Sequence, residues 1–358
     1  MSEWKTVKLS DICTLEKGQQ IDTTLLDDSK PYRYINGGIK ESGYFDNFNT
    51  SGESVLISEG GASCGFINYV NEKFWCGCHC YRLHDIKVFP KYLFHALKAN
   101  QQRIMALRTG SAMPNIQKST IQKFELKIHD DSTTQKKVST MLDKCNELIE
   151  KHKQTLEKYD NLIKSRFIEM FGDPSKNNKK WEIKKLGDII RVLGGYAFSS
   201  KAFKDSGIPV LRIGNINSGV FRPTNMVFWD DDEKIERYAI YPGDLVMSLT
   251  GTVGKDDYGN VCILGNDYPK YYLNQRNAKL EIISDLERFY LSYLLKFPEI
   301  KSRLTNISRG IRQANIANKD IENLQIPVPP IELQNDFTVF VQQIDKSKFE
   351  YTNTGVAA

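Results

Sequence analysis

The chain has 358 residues, of which 40% are hydrophobic and 26% charged, and its formal net charge at pH 7 is +5. This length exceeds that of a typical domain with a single hydrophobic core, so we expect two domains. No apolar run approaches the roughly 20 residues of a membrane span, and the first residues lack the layout of a signal peptide. With seven cysteines, an odd number, the chain is expected to be cytoplasmic and its thiols reduced. The charge permits an anionic partner without requiring one.

The first 132 residues are typical of mixed α and β structure. Short β-branched and aromatic runs such as Glu53–Ile57 and Phe66–Val70 alternate with turns rich in Gly and Asn, which predicts a small twisted sheet. A helix is predicted at Pro90–Gln102.

One segment of this half, Cys76–Cys80, contains four possible zinc ligands in five residues. On a β-strand, alternate residues point to opposite faces, so the three cysteines would lie on one side and His79 on the other. That arrangement does not close a tetrahedral site, and the corresponding segment around Asn274–Ala278 has no cysteine. We therefore predict no metal site.

The stretch from Thr133 to Phe171 contains neither Pro nor Gly, and its apolar residues recur at every seventh position. This spacing, with charged residues between, predicts a coiled-coil helix of roughly 50 to 60 Å, ended by Gly172-Asp173-Pro174. A buried helix of an all-α domain is the alternative, which the charged flanks disfavour. The predicted seam residues are Leu142, Ile149, Leu156, Ile163 and Met170, continued in a C-terminal helix by Phe337, Val341 and Ile344.

Segments that precede this helix recur after it in the same order, which predicts a tandem repeat. The matched pairs are Trp4–Ile12 with Trp181–Ile189, Lys30–Ile39 with Ile208–Ile216, Gly110–Ile116 with Gly310–Ile316, and Phe124–Ile128 with Leu324–Val328. The second half also contains a predicted strand at Leu245–Leu249 and a predicted helix at Leu286–Leu304. Each half then enters a helix at a glutamine, Gln135 or Gln334.

We therefore predict an α+β fold made of two duplicated domains separated by long coiled-coil helices, the C-terminal one shortened. The expected boundaries are residues 1–132 for the first domain, 133–173 for the central helix, 174–332 for the second domain and 333–358 for the C-terminal helix. Thr352–Gly355 is expected to break that last helix at about half the length of the first.

No catalytic site is predicted. Asp173 followed by Glu182-Ile183-Lys184 weakly resembles a nuclease arrangement, but a helix end followed by a strand explains it, and the duplicate segment Lys5-Thr6-Val7 lacks the acidic residue. Pro327–Pro330 is not the tetrapeptide of an adenine methyltransferase. The Gly-rich segments at 60–65 and 248–254 do not open helices and are better explained as β-turns or points of backbone contact with a ligand.

Basic side chains near Gly-rich turns recur at the same place in both halves. Lys, Arg and backbone amides bind phosphates, while Asn, Gln and Arg read base edges. Any one of these residues is by itself more often a solvated surface residue, but the recurrence favours DNA binding. The candidates are Gln19, Gln20, Asn36, Gly37, Ser63, Arg108, Ser111, Asn115, Lys118, Arg212, Asn215, Thr250, Thr252, Lys255, Gln275, Arg276, Arg309, Arg312, Asn315 and Lys319.

Over essentially its whole length, the chain resembles the specificity subunit of Type I restriction-modification systems. The segments that carry the resemblance are Trp4–Ile12, Trp181–Ile189, Leu211–Ile216, Ser248–Gly254, Asn274–Arg276, Ile326–Gln334 and Gln343–Ser347. In that family, two target-recognition domains are held apart by conserved antiparallel helices.

The resemblance implies that each domain reads one half of a bipartite, asymmetric site in double-stranded DNA, and that the helices set the gap and dock two modification subunits. It implies no cofactor or catalysis on this chain. S-adenosylmethionine would belong to the modification subunit that methylates adenine, and ATP and Mg to restriction subunits. From the sequence, an enzyme acting alone and a scaffold that joins only proteins remain alternatives.

The short second helix departs from the family pattern, and we expect a truncated or recombined product. Its partner, the central helix, would then expose apolar seam residues at its far end, such as Ile163 and Met170.

Overall fold

The computed structural model describes residues 3–306 and 313–356. The chain folds into two compact units, residues 1–151 and 152–358. Both units mix short strands with helices, which confirms the predicted α+β class. Within the described ranges, no helix is both long and apolar enough to cross a membrane.

The first unit is built from short strands connected by long loops and a few helices. Its strands are β1 (Trp4–Lys8), β2 (Thr14–Lys17), β3 (Tyr32–Ile35), β4 (Tyr44–Phe45), β5 (Ser54–Ser58), β6 (Ile67–Val70), β7 (Phe74–Cys76), β8 (Cys80–His84) and β9 (Glu125–His129). Its helices are α1 (Leu9–Ile12), α2 (Pro90–Ala99), α3 (Gln101–Met105), α4 (Lys118–Gln122) and the first part of α5 (Ser132–Phe171).

Strand β5 lies between two cores of this unit. The antiparallel sheet runs in the order β2-β8-β5-β6, while β3 pairs antiparallel with β4 and parallel with β7, and β1 pairs with β9. Val55 and Ile57 pack in the core that contains α2, and Leu56 packs on the other side with Phe74. Because successive side chains of a strand point to opposite faces, the three central residues of β5, Val55 to Ile57, are all apolar.

The second unit repeats this plan with additional strands. Its strands are β10 (Glu182–Lys185), β11 (Ile190–Gly194), β12 (Ile208–Leu211), β13 (Val227–Trp229), β14 (Ala239–Ile240), β15 (Leu245–Ser248), β16 (Thr250–Thr252), β17 (Val261–Ile263), β18 (Tyr271–Leu273), β19 (Asn277–Ile282), β20 (Gln313–Asn315) and β21 (Gln325–Val328). Its helices are the end of α5, then α6 (Arg288–Lys296), α7 (Pro298–Thr305), α8 (Asn318–Glu322) and α9 (Ile331–Val356).

The two units share strand order and direction. The order β11-β19-β15-β17 repeats β2-β8-β5-β6, and β12 pairs antiparallel with β13 and parallel with β18, as β3 does with β4 and β7. The pair β10-β21 repeats β1-β9. The predicted duplication is therefore confirmed at the level of topology. The predicted single helix Leu286–Leu304 is wrong, because Pro298 starts a separate helix, α7.

Helix α5 is continuous over 40 residues, which corresponds to about 60 Å. Its predicted seam is packed unevenly: Leu142 and Ile149 are 41% and 53% exposed, whereas Ile163 and Met170 are buried. Leu156 is half-buried. The expectation that Ile163 and Met170 are exposed is therefore wrong, and the exposed residues lie in the first half of the helix.

Helix α9 explains this pattern because it packs antiparallel on the second half of α5. The ring of Phe337, near the start of α9, lies 5.4 Å from that of Phe167. Further along α9, the Nζ of Lys348 lies 2.6 Å from a carboxylate oxygen of Asp160. Val341 is fully buried in the same core. The first turns of α9 therefore cover the end of α5.

The C-terminal helix continues through the residues that were expected to break it. It has 26 residues and ends at Val356, so the predicted break at Thr352–Gly355 is wrong, although α9 is shorter than α5 as predicted. The Tyr351 hydroxyl donates to the Thr155 hydroxyl at 3.3 Å, and its ring lies 4.4 Å from that of His152. Such tertiary contacts outweigh the low helix propensity of Thr, Asn and Gly.

A buried glutamine fixes each long helix to the strand and helix of its own unit. In the first unit, Gln135 accepts from the Phe89 amide at 3.0 Å and donates to the His129 carbonyl at 2.8 Å. In the second, Gln334 accepts from the Glu287 amide at 2.8 Å and donates to the Pro329 carbonyl at 2.8 Å. The glutamines noted at the two helix entries therefore have the same structural role.

Candidate nucleic-acid interface

Three loops and a tight turn meet at one end of the first unit and form a concave surface, which we call the first loop surface. It encloses a cleft of about 350 Å³ lined by Asn36, Gly37, Gly38, Gly60, Gly61, Ser63, His79, Met113, Pro114 and Asn115. Four of the predicted DNA-binding residues therefore come together here, namely Asn36, Gly37, Ser63 and Asn115. They derive from three segments that are distant in sequence.

Backbone and side-chain hydrogen bonds fix these loops to one another. The Gly61 amide donates to the Pro114 carbonyl at 2.9 Å, and the Ser63 hydroxyl donates to the Gly37 carbonyl. Gly37 has a φ of +88°, and a Cβ there would lie 2.7 Å from the His79 carbonyl oxygen. Only glycine meets both requirements at this position.

The turn at residues 77–79 presents an exposed histidine from a rigid backbone. Strand β7 ends at Cys76 and β8 begins at Cys80, so the prediction of one continuous strand here is wrong. The His79 amide donates to Oδ1 of Asn36 at 3.0 Å, and its carbonyl accepts from the Glu59 amide at 2.8 Å. Because both backbone groups of His79 are bonded, its half-exposed side chain projects from a fixed position.

A buried carboxylate lies beneath this turn. Glu59 binds the Lys17 ammonium at 2.7 Å and accepts from the Tyr81 hydroxyl at 2.9 Å. Burial, and then the hydrogen bond to this carboxylate, raises the pKa of Tyr81. The second carboxylate oxygen of Glu59 lies 3.9 Å from Nδ1 of His79.

The other candidates of the first unit lie around this cleft. The Gln20 side-chain oxygen accepts from the Cys78 thiol at 2.9 Å, and the Gln19 carbonyl accepts from the Trp75 indole. Arg108 and Lys118 are exposed. Burial, the largest effect, raises the pKa of Cys64, and the nearby charge of Arg108 opposes it. Ser111 lies in the exposed loop between Thr109 and Asn115, which pair with each other.

The second unit has an equivalent surface, the second loop surface, formed by residues 212–213, 250–252, 274–276 and 313–315. Thr250 of β16 pairs with Asn315 of β20, as Gly60 pairs with Asn115 in the first unit. Gln275 and Arg276 occupy the turn between β18 and β19 and are exposed. Lys255 and Lys319 are also exposed.

Two candidates of this unit are held by protein groups. Asn215 is only 3% exposed, and its amide donates to the carbonyls of Arg222 and Thr224 at 3.1 and 3.0 Å. The prediction that Asn215 reads a base is therefore wrong, since it stabilises its own loop. Arg212 donates to the Asn225 carbonyl at 2.6 Å.

Thr252 is fixed by an acidic neighbour, because its hydroxyl and its amide both donate to the Asp257 carboxylate, at 2.9 and 2.8 Å. The predicted residues Arg309 and Arg312 lie outside the described residues.

The comparison with protein families agrees with the duplication of the two units. The model of the Type I restriction modification DNA specificity domain matches residues 1–158 and again residues 178–356. The chain belongs to this family.

Curated relatives include members of the same Type I specificity family. A putative type I specificity subunit from Mycoplasma genitalium is 26% identical over 62% of this chain and 61% of its own length. A putative type I specificity subunit from Mycoplasma pneumoniae is 27% identical over 60% of each chain. These alignments thus span about three fifths of each relative. The MjaVIII specificity subunit of Methanocaldococcus jannaschii is 22% identical over 96% of this chain and 86% of its own.

Solved structures show the Type I specificity fold across the chain. The S subunit from M. genitalium superposes with a TM-score of 0.67 at 20% identity, covering 99% of this chain and 93% of its own. A chain from a structure concerning complex assembly and conformational transition of the type I R-M system gives a TM-score of 0.51 at 16% identity, covering 99% and 94%.

Five of the seven cysteines of this Type I family member are buried, whereas Cys78 is half-buried and Cys145 is exposed. Cys76 and Cys80 are buried, and the neighbouring Cys80 thiol, followed by burial, raises the pKa of Cys76. Burial raises the pKa of Cys262 to about 12. Among residues 3–306 and 313–356, no group of three or more His, Cys, Asp or Glu side chains could hold a metal ion.

Two residues at this cleft, His79 on the first loop surface and Glu59 beneath it, are not among the DNA-binding residues predicted from the sequence. The sequence indicates His79 only as a possible metal ligand, and Glu59 directly follows β5. A signal was present nonetheless, because aligning Gly77–Cys80 with Asn274–Asn277 places His79 opposite Arg276, which was a candidate.

Proposed function

We propose that this chain is the DNA sequence-specificity subunit of a Type I restriction-modification complex. Each unit would read one half of a bipartite, asymmetric site in double-stranded DNA, and the long helices would set the gap and dock two modification subunits. The observation that carries the proposal is the duplicated loop surface. Both copies share one backbone frame but expose different side chains, as two unlike half-sites require.

The proposed role of each segment follows from its position in the loop surfaces or in the long helices. Residues 1–132 and 174–332 would be the recognition domains, and residues 133–173 and 333–358 the spacer helices. The exposed basic residues Arg108, Lys118, Lys255 and Lys319 would bind phosphates, and the exposed polar residues of the loop surfaces would read bases. About 60 Å of helix corresponds to half-sites one to two turns of DNA apart.

We further propose that catalysis resides on partners. S-adenosylmethionine would be held by the modification subunits, which methylate adenine, and ATP and Mg by restriction subunits, so the chain itself would need no cofactor. The name of one structural relative concerns assembly of the type I R-M system, which supports a role within a complex. The cytoplasm is the proposed location, because the DNA is there.

The decisive experiment is co-purification with the modification subunit, followed by mapping of methylated adenines in DNA exposed to the complex. A bipartite motif with a fixed gap is expected. Methylation at a single half-site, or failure to assemble, would contradict the proposal. Incubation of the chain alone with DNA and Mg or S-adenosylmethionine tests the enzyme alternative. DNA affinity that does not fall with salt would favour the scaffold alternative.

A further inference from the structure

We propose that His79 and Arg276 are equivalent specificity-determining residues, one in each unit. Arg276 selects a guanine in its half-site, and His79 selects a base in the other half-site through a single hydrogen bond from its ring. The inference rests on the proposed function. It assigns base reading to the last residue of each of two equivalent turns, residues 77–79 in the first unit and residues 274–276 in the second.

The equivalence of the two positions follows from backbone hydrogen bonds. The carbonyl of His79 accepts from the Glu59 amide at 2.8 Å, and that of Arg276 accepts from the Leu249 amide at 2.8 Å. One residue further on, the Cys80 amide donates to the Gly77 carbonyl at 3.1 Å, and the Asn277 amide donates to the Asn274 carbonyl at 2.9 Å. Both turns are therefore closed and attached to the preceding sheet in the same way.

A second pair of contacts fixes these turns from the opposite side. The Gln19 amide donates to the Cys76 carbonyl at 2.8 Å, and the Tyr196 amide donates to the Leu273 carbonyl at 2.8 Å. Gly18 and Gly195 precede these residues, and a Cβ on either would lie about 2.3 Å from backbone of the turn. Backbone packed this closely presents its side chains from a preorganised position.

The side chains at the two positions are available to a ligand. Arg276 is exposed, and its guanidinium has no ion pair or hydrogen bond to the residues that the structure describes. The His79 side chain is 59% exposed, with Nδ1 facing Glu59 at 3.9 Å. The other ring nitrogen, Nε2, is the one left to meet a base.

The residue beneath the turn distinguishes the two units. In the first unit it is Glu59, a buried carboxylate that already binds Lys17 and Tyr81. In the second unit it is Leu249, which packs in the apolar core. Arg276 therefore has an apolar residue beneath it in place of a carboxylate, whereas an arginine at position 79 would be drawn to Glu59.

The chemistry of the two side chains predicts different bases. A guanidinium donates two parallel hydrogen bonds, which match O6 and N7 of guanine in the major groove. One such pair discriminates against a wrong base by about 5- to 150-fold. A single imidazole nitrogen makes only one hydrogen bond, so the requirement at the equivalent position of the first half-site is weaker.

The test uses the complex of the full chain with the modification subunit and maps methylated sites genome-wide. Arg276→Ala is expected to relax a required guanine in one half-site only, by about 5- to 150-fold. Arg276→Gln is expected to shift that position from guanine to adenine, because a carboxamide pairs with N6 and N7 of adenine. Arg191→Ala, which removes an exposed arginine paired with Glu281 at 3.1 Å, is the matched control and should leave the motif unchanged.

The first unit provides the reciprocal experiment. His79→Ala should relax one position of the other half-site, and the control His84→Ala, also on an exposed histidine, should not. The double substitution Glu59→Leu with His79→Arg reproduces the arrangement of the second unit. It is expected to introduce a guanine requirement at that position.

The outcomes separate the inference from the proposed function. If the unaltered complex yields no bipartite motif, the proposed function fails. If it does, but the motif is unchanged in Arg276→Ala and His79→Ala, the inference alone is overturned. Failure of Arg276→Ala to assemble would also overturn it, because that result would assign the arginine a structural role.

Discussion

At the scale of single residues, Gln135 and Gln334 each connect a long helix to the rest of one unit. Replacing either by alanine would leave an amide and a carbonyl that are at least partly buried without this partner, which costs up to roughly 1 to 3 kcal/mol per group. We expect Gln135→Ala to accelerate hydrogen exchange around Phe89 and Gln334→Ala to accelerate it around Glu287, whose amides lose their acceptors. Exchange measured by mass spectrometry resolves the two units separately.

Gln154→Ala is the matched control for both, since Gln154 is exposed in the middle of α5. Equal protection of the Phe89 amide in Gln135→Ala and in the unaltered chain would refute the assigned role.

A second residue-scale prediction concerns acid stability of the first unit. Asp143 on α5 binds Lys91 at 2.8 Å and His95 at 2.9 Å. Burial raises the pKa of Asp143, but the hydrogen bonds from Lys91 and His95 outweigh it and hold the pKa below its ordinary 3.8. Asp143→Asn should therefore destabilise the first unit by about 1 kcal/mol at neutral pH, since the group is partly exposed and screened by solvent.

The sign of the pH dependence follows from this lowered pKa. The stabilising effect is complete above the unfolded pKa of about 3.9 and is lost as the pH falls through the folded value. Urea denaturation of the two proteins at pH 5, 4 and 3, followed through peptides of the first unit, should give a difference that becomes smaller toward pH 3. A difference that grows between pH 5 and pH 3 would contradict this account.

At the scale of elements, an aromatic cluster attaches the end of α5 to α6 and α9. The ring of Phe167 lies 5.5 Å from that of Tyr290 and 5.4 Å from that of Phe337, and all three are fully buried. Phe167→Ala should destabilise the second unit by roughly 3 to 5 kcal/mol through lost burial and a cavity. Thermal unfolding should then begin at α9 and the end of α5, as seen by hydrogen exchange.

The adjacent Ile168, 42% exposed, supplies the control: Ile168→Ala should change stability little. Similar losses from the two substitutions would show that the cluster does not anchor the helix.

Elements were predictable where local pattern and tertiary packing agree. The seven-residue spacing and the absence of Gly and Pro predicted α5, and the duplicated segments predicted the repeated sheets. The pattern failed where packing decides: α9 continues through Gly355 because Tyr351 contacts His152 and Thr155. Likewise, the predicted seam residues are apolar along the whole of α5, so the sequence does not reveal which half of α5 packs on α9.

The candidate site was partly predictable for a related reason. Residue type and recurrence identified Asn36, Ser63 and Asn115, which the fold brings to one cleft. The same criteria selected Asn215, because residue type alone does not distinguish an asparagine that donates to loop carbonyls from one that reads bases. Only the hydrogen bonds distinguish them.

At the scale of the whole molecule, α5 contributes residues 132–151 to the first unit and 152–171 to the second. Residues 144–151 are exposed on every face of the helix, so extra residues are accommodated there. Duplication of residues 148–151 would lengthen the helix by about 6 Å. Under the proposed function, the gap of the methylated motif should grow by about one or two base pairs at 3.4 Å each, while both half-sites stay unchanged.

An insertion of the same four residues after Ile39, in an exposed loop of the first unit, provides the comparison and should leave the gap unaltered. An unchanged gap after lengthening α5 would show that this helix does not set the spacing.

The turns at residues 77–79 and 274–276 are held by carbonyls and amides of the main chain, together with the side-chain oxygens of Asn36 and Asn274, and this has an evolutionary consequence. Exchange of an exposed side chain there removes none of the bonds that define the turn. New side chains at positions 79, 275 and 276 can therefore be sampled at little cost in stability. Under the proposed function, single substitutions at these positions would change the DNA preference one half-site at a time, without passing through an unfolded intermediate sequence.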